Sequence, residues 1–442
     1  MFRAITQLSV RMVERYLPDP YIFVLLLTLI AALAAVFVEQ QSPMAVITMW
    51  GDGFWGLLTF TMQMLLVLVA GYMLASSPVI RKLLSTIASI AKSPSGAIIL
   101  VTYIALVADW INWGFGLVVS ALFAKELAKR VRVDYRLLVA SAYSAFVVWH
   151  AGLAGSVSLT IATDGHFHED KIGVISTSET IFSSFNLLLV LAMFIVVPLV
   201  NRLMMPREDE SVYIDPDILK AEEELAKAEQ ENNKIERPAD RLETSKILSL
   251  LIGFGGLAYL FNYFLIQGGG LNLNVVNFTF ITLAIVFHGN ARSLLTALQE
   301  AIKGGAGIVI QFPFYAGIMA IMIDSGLAAS ISDWLISFAT EKTLAFWTFI
   351  SAGIVNMFVP SGGGQWAVQS PVVIASAEAL GVDIPRVAMA VAWGDAWTNL
   401  LQPFWALPVL AIAGLKAKDI MGYCLIQLVV TGVVIGIGLT YF

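Results

Sequence analysis

N-M-F-V-P-S-G-G-G-Q-W-A-V-Q-S-P, from Asn356 to Pro371, is the stretch on which the reading of this chain turns. Three consecutive glycines, Gly362 to Gly364, stand between Pro360 and an apolar run in a chain that is 58% hydrophobic and only 13% charged. Lipid offers backbone N–H and C=O groups no partner. Glycine-rich irregular backbone at membrane depth therefore persists only where it is buried in protein or lines a polar cavity. Helix starts also aim unpaired N–H groups at anions. The Ser361 to Gln365 segment thus reads as a helix-opening tip that receives a carboxylate near the bilayer midplane, as the broken helices of secondary transporters do.

The 442 residues hold many apolar runs of about 20, each long enough to cross roughly 30 Å of hydrocarbon. The fold class is therefore an all-α polytopic membrane protein. Met1 to Tyr21 carries Arg3, Arg11 and Arg15 scattered among apolar residues, and reads as an amphipathic helix on the cytoplasmic surface rather than a cleavable signal. The net charge of −6 comes from residues 207–245, which hold 13 acidic and 6 basic residues. The remainder is nearly balanced, and nothing in it points to nucleic acid. A single cysteine, Cys424, excludes an intramolecular disulfide and a cysteine metal cluster.

Orientation follows from Lys and Arg beside the apolar segments. The N-terminus reads as cytoplasmic, spans follow at about 22–38 and 54–76, and Arg81, Lys82 and Lys92 mark a return inside. Residues 97–130 have basic flanks on both sides, Lys92 before and Lys125, Lys129, Arg130, Arg132 and Arg136 after, with A-D-W-I-N-W-G-F-G (Ala108 to Gly116) at the centre. Two helices joined at that tip enter and leave on the same side, so a re-entrant hairpin is expected. At about 137–163 a span is interrupted by W-H-A-G-L-A-G-S-V-S (Trp149 to Ser158), which reads as a broken helix. The following loop, with His166 and His168, is expected outside and solvated. After a span at about 181–200, the acidic segment 207–245 reads as a cytoplasmic tether between two halves. The second half runs through spans at about 247–266 and 275–288, an amphipathic piece from Ala291 to Lys303, and a span at 306–323 that leads into an external stretch near Asp324 to Lys342. A second hairpin at 344–380, a second broken helix at 385–414 and a last span that ends outside complete it. The total is about nine spanning helices plus two hairpins.

A shift of 249 residues lays Asn112 on Ser361, Gly114 on Gly363, Asp134 on Asp383 and His150 on Asn399. Residues 1–206 and, after an extra span at about 247–266 that serves with the tether as the joint, the rest of residues 246–442 each hold two spans, a glycine-containing hairpin, a mid-broken helix and a final span, in opposite orientation. That order predicts two inverted repeats, with the site where the broken elements meet.

The block P-S-G-G-G-Q-W-A-V-Q-S-P, with N-W-G-F-G upstream (Asn112 to Gly116) and W-G-D-A-W-T-N-L-L-Q-P-F-W downstream (Trp393 to Trp405), resembles the bacterial short-chain fatty acid transporters of the acetoacetate-utilisation type. The resemblance covers essentially the whole chain. It implies uptake of acetoacetate, butyrate or similar monocarboxylates across the cytoplasmic membrane. Through the wider ion-transporter superfamily it implies an elevator-type scaffold and transport domain, often in a homodimer. The S-N-T tip of the dicarboxylate symporters is absent, so their sodium ligands do not carry over.

For the substrate, Asn112, Ser361, Gln365 and backbone N–H groups around Gly114, Gly116, Gly362, Gly363 and Gly364 are the expected carboxylate partners. Trp113 and Trp366 are candidate walls for the acyl tail. His150 is an ionisable group at midspan, costly there and so a functional candidate. Asp395, Thr398, Asn399 and Gln402 share one helical face, and Asp109 is a further membrane-depth acid. No cofactor is expected beyond a coupling ion. This is either a proton on His150, histidine being the side-chain type whose unperturbed charge change falls near neutrality, or sodium among Asp395, Thr398, Asn399 and Asp109. A membrane hydrolase using His150 with Ser156 or an Asp and a passive channel are the rival readings; duplicated, oppositely oriented tips argue against the enzyme, and a channel would show net flux only down a gradient.

Overall fold

The computed structural model describes residues 20–218, 220, 237–401 and 404–441. The proposed amphipathic segment Met1 to Tyr21 therefore lies almost wholly outside the described residues, as do the centre of the acidic tether and Gln402. No strand occurs among the described residues. Among the described residues, seven helices are long and apolar enough to cross a membrane. One of the seven, Pro94–Ile111, is an arm of the expected first hairpin. Pro20–Phe37 and Leu273–His288 stand where two further spans are expected. The region expected as a second broken helix at 385–414 is divided into Ile384–Thr398 and Ala406–Ala413.

The burial pattern is that of a protein solvated by lipid. Large apolar side chains such as Ile30, Leu33, Leu191, Ile195, Leu251 and Ile252 point outward, whereas Asp109, Asn112, His150, Gln365, Asp395 and Asn399 are buried. Polar groups placed there must satisfy one another.

At Asn112 the chain reverses on one residue. Pro94–Ile111 is opened by the Ser93 hydroxyl, which accepts from Gly96 N–H, and by Pro94. Asn112 is extended (φ −161°, ψ 125°), and Trp113–Ala128 begins immediately, with Asn112 Oδ1 accepting from Phe115 N–H at 2.9 Å. In a continuous helix, residues seven apart lie about 10 Å apart along the axis. A Cβ on Gly116 would instead sit 2.5 Å from Asp109 Cα, so the second arm folds back on the first.

The second helix pair, Leu344–Asn356 and Gly362–Leu380, has a five-residue connector. Ser361 is again extended (φ −156°, ψ 109°), and its Oγ accepts from Gly364 N–H at 3.3 Å. Gln365 Nε2 donates to Ala352 O and Gln369 Nε2 to Ser351 Oγ, each at 2.9 Å, tying the arms.

The interrupted helices follow the hairpins. Tyr135–Ser144 continues as a tighter turn, Ala145–Ala151, breaks at Gly152, and resumes as Ser156–Ile161. Leu153 N–H donates to Trp110 O at 2.7 Å, so the first hairpin satisfies backbone that the break exposes. Helices beginning at Leu58, Pro78, Pro94, Trp113, Tyr135 and Ser156 have counterparts beginning at Ala306, Leu327, Leu344, Gly362, Ile384 and Ala406, each 248 to 250 residues later.

Three helices occupy places the sequence reading left as connections. Pro43–Gly53 and Pro78–Ala88 are short helices, each announced by a Ser-Pro cap, and Leu327–Ile336 fills most of the stretch expected to be an external loop. The described start of the acidic tether is docked rather than hanging free. Val212 N–H donates to Asp134 Oδ2, Tyr135 N–H donates to Val212 O, both at 2.7 Å, and Ile218 covers Gly414.

Candidate substrate site

Both tips and both breaks converge on one small cavity of about 10 Å³, room for a single water. Its polar rim is Ser156 from the first break and Ser361 to Gly363 from the second tip. Its aromatic walls are Trp113, Phe146, Trp149 and Trp405, and Met64, Ile308 and Phe312 close the remaining side. The aromatics form one cluster: Trp113 meets Trp149 and Trp405 edge to face at 5.9 and 5.1 Å, and Phe146 stacks on Trp149 at 5.5 Å.

The indole nitrogens of Trp113, Trp149 and Trp405, and the Asn112 amide nitrogen, are buried without a hydrogen-bond partner. A buried donor left unmade costs about 1–3 kcal/mol. Three of the four, the indoles, belong to residues that line the cavity; Asn112 does not line it. Trp149 and Trp405 were not singled out by the sequence reading; their residue type signals packing, and only the orphaned nitrogens give them away.

The glycines make close contacts that the sequence alone does not reveal. A Cβ on Gly114 would lie 3.0 Å from the Leu68 backbone. On Gly362 it would come within 2.5 Å of His150 Cε1 and 2.8 Å of the Trp149 ring, and on Gly363 within 2.6 Å of Phe60; on Gly364 it would enter the Tyr315 ring. Phe115 and Gly364 N–H are taken by the two caps, and Gly116 and Gln365 N–H by the carbonyls of Asn112 and Ser361. Trp113, Gly114, Gly362 and Gly363 carry the remaining N–H groups of the two first turns.

His150 is fully buried and stacked on Trp149 at 4.1 Å. Its Nε2 accepts from Val157 N–H at 3.0 Å, so that nitrogen holds a lone pair and the ring proton belongs to Nδ1. Nδ1 faces Asp395 Oδ1 at 3.4 Å. Asn399 Nδ2 reaches the same oxygen at 3.4 Å, while Asp395 Oδ2 is buried without a partner. Asn356 Nδ2 braces the group through Asp395 O and Thr398 Oγ1, both at 2.9 Å, and Asn399 Oδ1 at 3.2 Å. His150, Asp395, Thr398 and Asn399 are thus brought together. Asp109 is elsewhere, buried between the arms of the first hairpin with Oδ1 unpartnered. Gln365 bonds within the second hairpin, and Trp366 lies behind its tip near His168.

His168 departs from the expectation of a solvated loop. It is buried, with Nε2 2.5 Å from Ser370 Oγ of the second hairpin. Burial, then the nearby His166 and Lys171 charges, push its pKa down to about 4. The polar loop composition hid a contact between residues distant in sequence. His166 is half-buried, its Nε2 2.9 Å from Gly173 O.

The sequence model of the short chain fatty acid transporter family matches residues 1–442. The chain belongs to that family. Two relatives provisionally described as short-chain fatty acid transporters agree over the full length of both chains: one from Escherichia coli K12 at 46% identity over 443 residues, one from Haemophilus influenzae at 42% over 450. The fold is similar to the crystal structure of the Alcanivorax borkumensis YdaH transporter, whose topology is described as unusual. The TM-score is 0.59 at 17% identity, over 95% of this chain and 98% of that one. The transporter is thus a multi-pass membrane protein rather than an enzyme, which removes the hydrolase reading of His150 with Ser156.

Proposed function

We propose that this transporter takes up short-chain monocarboxylates, acetoacetate or butyrate among them, across the cytoplasmic membrane by symport with a cation. The observation that carries the reading is the set of indole donors of Trp113, Trp149 and Trp405, unpartnered among the described residues, on the wall of a cavity otherwise lined by Ser156, the second tip and apolar side chains. Neutral donors suit one carboxylate, and the apolar walls suit a short acyl tail. No basic side chain lines the cavity, so a second carboxylate would be buried without a strong partner. A cavity of about 10 Å³ is smaller than any such acid, so loading requires the second tip to withdraw from His150 and Phe60.

The matching starts of six helices and the matched caps Asn112 and Ser361 support two inverted repeats, each with a re-entrant hairpin and a broken helix. In this reading the hairpins and broken helices move as a unit against the helices Leu58–Ala75 and Ala306–Asp324, in elevator fashion, within a homodimer whose N-termini are cytoplasmic and C-termini external. The coupling cation is a proton on His150. Taking it up means freeing Nε2 from Val157 N–H, so protonation is linked to a rearrangement of the first break. Sodium held by Asp395, Thr398 and Asn399, without Asp109, which lies between the arms of the first hairpin, is the second reading, favoured by the unpartnered Asp395 Oδ2.

Uptake of labelled butyrate into proteoliposomes under imposed proton or sodium gradients tests both. The proposal expects accumulation with an inward proton gradient and its loss in His150→Gln, with counterflow exchange retained. Accumulation driven by sodium alone transfers the role to Asp395. Flux only down the substrate's own gradient would make the protein a channel. Succinate competing as well as butyrate would refute the single-carboxylate site.

A further inference from the structure

At the basic end of the molecule, cations from both open ends of the first hairpin surround one cavity of about 500 Å³: Lys92 from before the hairpin, Arg130 and Arg132 from after it. Both arginines are positioned. Arg130 Nη2 donates to the Ser85 hydroxyl at 2.9 Å, and the Arg132 guanidinium lies 4.4 Å over the Tyr213 ring. Two carboxylates share the wall, Asp134 and Glu208. Asp134 is already engaged: Oδ1 accepts from Leu137 N–H at 2.8 Å, Oδ2 accepts from Val212 N–H at 2.7 Å, and Arg136 stands 3.6 Å away. That leaves Glu208 facing three cations, none of which has an ion-pair partner among the described residues. The start of the acidic tether, through Ser211 and Tyr213, forms the remaining polar wall, and a second cavity of about 300 Å³ continues along Arg130 to Val133.

We propose that this cavity binds a phosphate-bearing anion, held by Arg130, Arg132 and Lys92, and that its occupancy ties the open ends of the first hairpin to the tether. Three cations against one free carboxylate leave an excess that matches a phosphate dianion. Guanidinium forks fit phosphoryl oxygens in pairs. The volume falls in the range of small-molecule sites, about 300–1,000 Å³, and exceeds what a short carboxylate needs. Basic pockets between helices at the cytoplasmic face also receive phospholipid head groups, so the phosphate can come from a soluble metabolite or from a lipid.

The test compares purified full-length protein with an Arg130→Gln/Arg132→Gln double variant and a Lys416→Gln/Lys418→Gln control at low ionic strength. One arm titrates inorganic phosphate and follows thermal unfolding. The other uses nanodiscs of phosphatidylcholine with or without phosphatidylglycerol and counts retained lipid by native mass spectrometry. The expected result is a saturable response of the wild type and control in at least one arm, weakened about tenfold or more in the double variant. A response to phosphate alone identifies a soluble ligand, and one to phosphatidylglycerol alone a head group. Equal responses of all three proteins, or none in either arm, overturn the proposal. Butyrate counterflow establishes that the double variant is folded and inserted. If it is not, Lys92→Gln replaces it with the same readouts and the same demand for weaker binding.

Discussion

The two hairpin tips are capped alike and packed differently. Asn112 and Ser361 have nearly the same extended backbone, and each accepts from the N–H three residues on. The first tip turns on one residue and rests on backbone: Gly114 on Leu68, Gly116 on Asp109. The second has a five-residue connector, and its glycines rest on the ends of side chains: His150, Trp149, Phe60 and Tyr315. Backbone contacts cannot yield without moving a helix, whereas ring contacts yield by rotation. The first tip is therefore the less yielding of the two, and the second is the part that withdraws to admit substrate.

Alanine at Gly116 breaks this comparison most sharply. Its Cβ would lie 2.5 Å from Asp109 Cα and 2.6 Å from Asp109 N, both main-chain atoms. A loss of about 3 kcal/mol or more is expected, seen as little folded protein on fluorescence-detected size exclusion. Gly363→Ala meets Phe60 Cζ at 2.6 Å, a ring that can turn, so near-normal yield with slowed butyrate exchange is expected. If Gly363→Ala proves the more damaging to folding, the roles of the tips are reversed.

The second hairpin has an outer anchor in His168. Because its pKa falls from 6.5 to about 4 on folding, the unfolded chain binds more protons between those values. The contribution is fully present above pH 6.5 and is lost as pH falls towards 4, by roughly 2 kcal/mol at pH 5. Thermal unfolding in detergent should show this acid loss, and His168→Gln should flatten it relative to the wild type. An unchanged slope would mean that His168 does not titrate in this window.

Between the tips, Trp405→Phe keeps the aromatic wall and deletes one orphaned donor. A rise in KM for butyrate of about tenfold with folding intact is expected, since a hydrogen bond to a charged group contributes roughly 1.5–3 kcal/mol. An unchanged KM would leave the ring as packing and place the carboxylate elsewhere.

Much of the frame was legible because lipid punishes unsatisfied backbone: the glycine run and N-W-G-F-G had to be breaks, and Asn112 and Ser361 do open helices. Asp134 and Asp383, aligned by the same shift, both stand at the N-cap of the helix that follows, though only the Asp134 carboxylate accepts a helix N–H. Ala291 to Lys303, read as one amphipathic piece, is a single helix. What was not legible depends on tertiary distance. His168 meets Ser370 across 202 positions, and polarity alone cannot predict that burial. Trp149 and Trp405 look like any membrane tryptophan until their nitrogens are found without partners. The glycines were read for the N–H groups they expose, but their missing Cβ atoms matter as much, since each lets a tip approach its neighbour.

The smallest expected difference lies in the caps themselves. Asn112 Oδ1 accepts at 2.9 Å and Ser361 Oγ at 3.3 Å, so the first bond is the better formed. Replacing an N-cap by alanine costs about 1 kcal/mol in general. Asn112→Ala should reach that figure, because the tip it caps is pinned on backbone and cannot shift to recover another partner. Ser361→Ala should cost less in stability, since its long bond is already partly given up and its connector can adjust. If the second tip is the one that withdraws, weakening its cap should also favour the open arrangement, so butyrate exchange should change by a fewfold in Ser361→Ala and by less in Asn112→Ala. Paired thermal unfolding and exchange measurements on the two variants decide the point. Equal losses in both quantities would mean that the tips differ in sequence and contacts but not in duty.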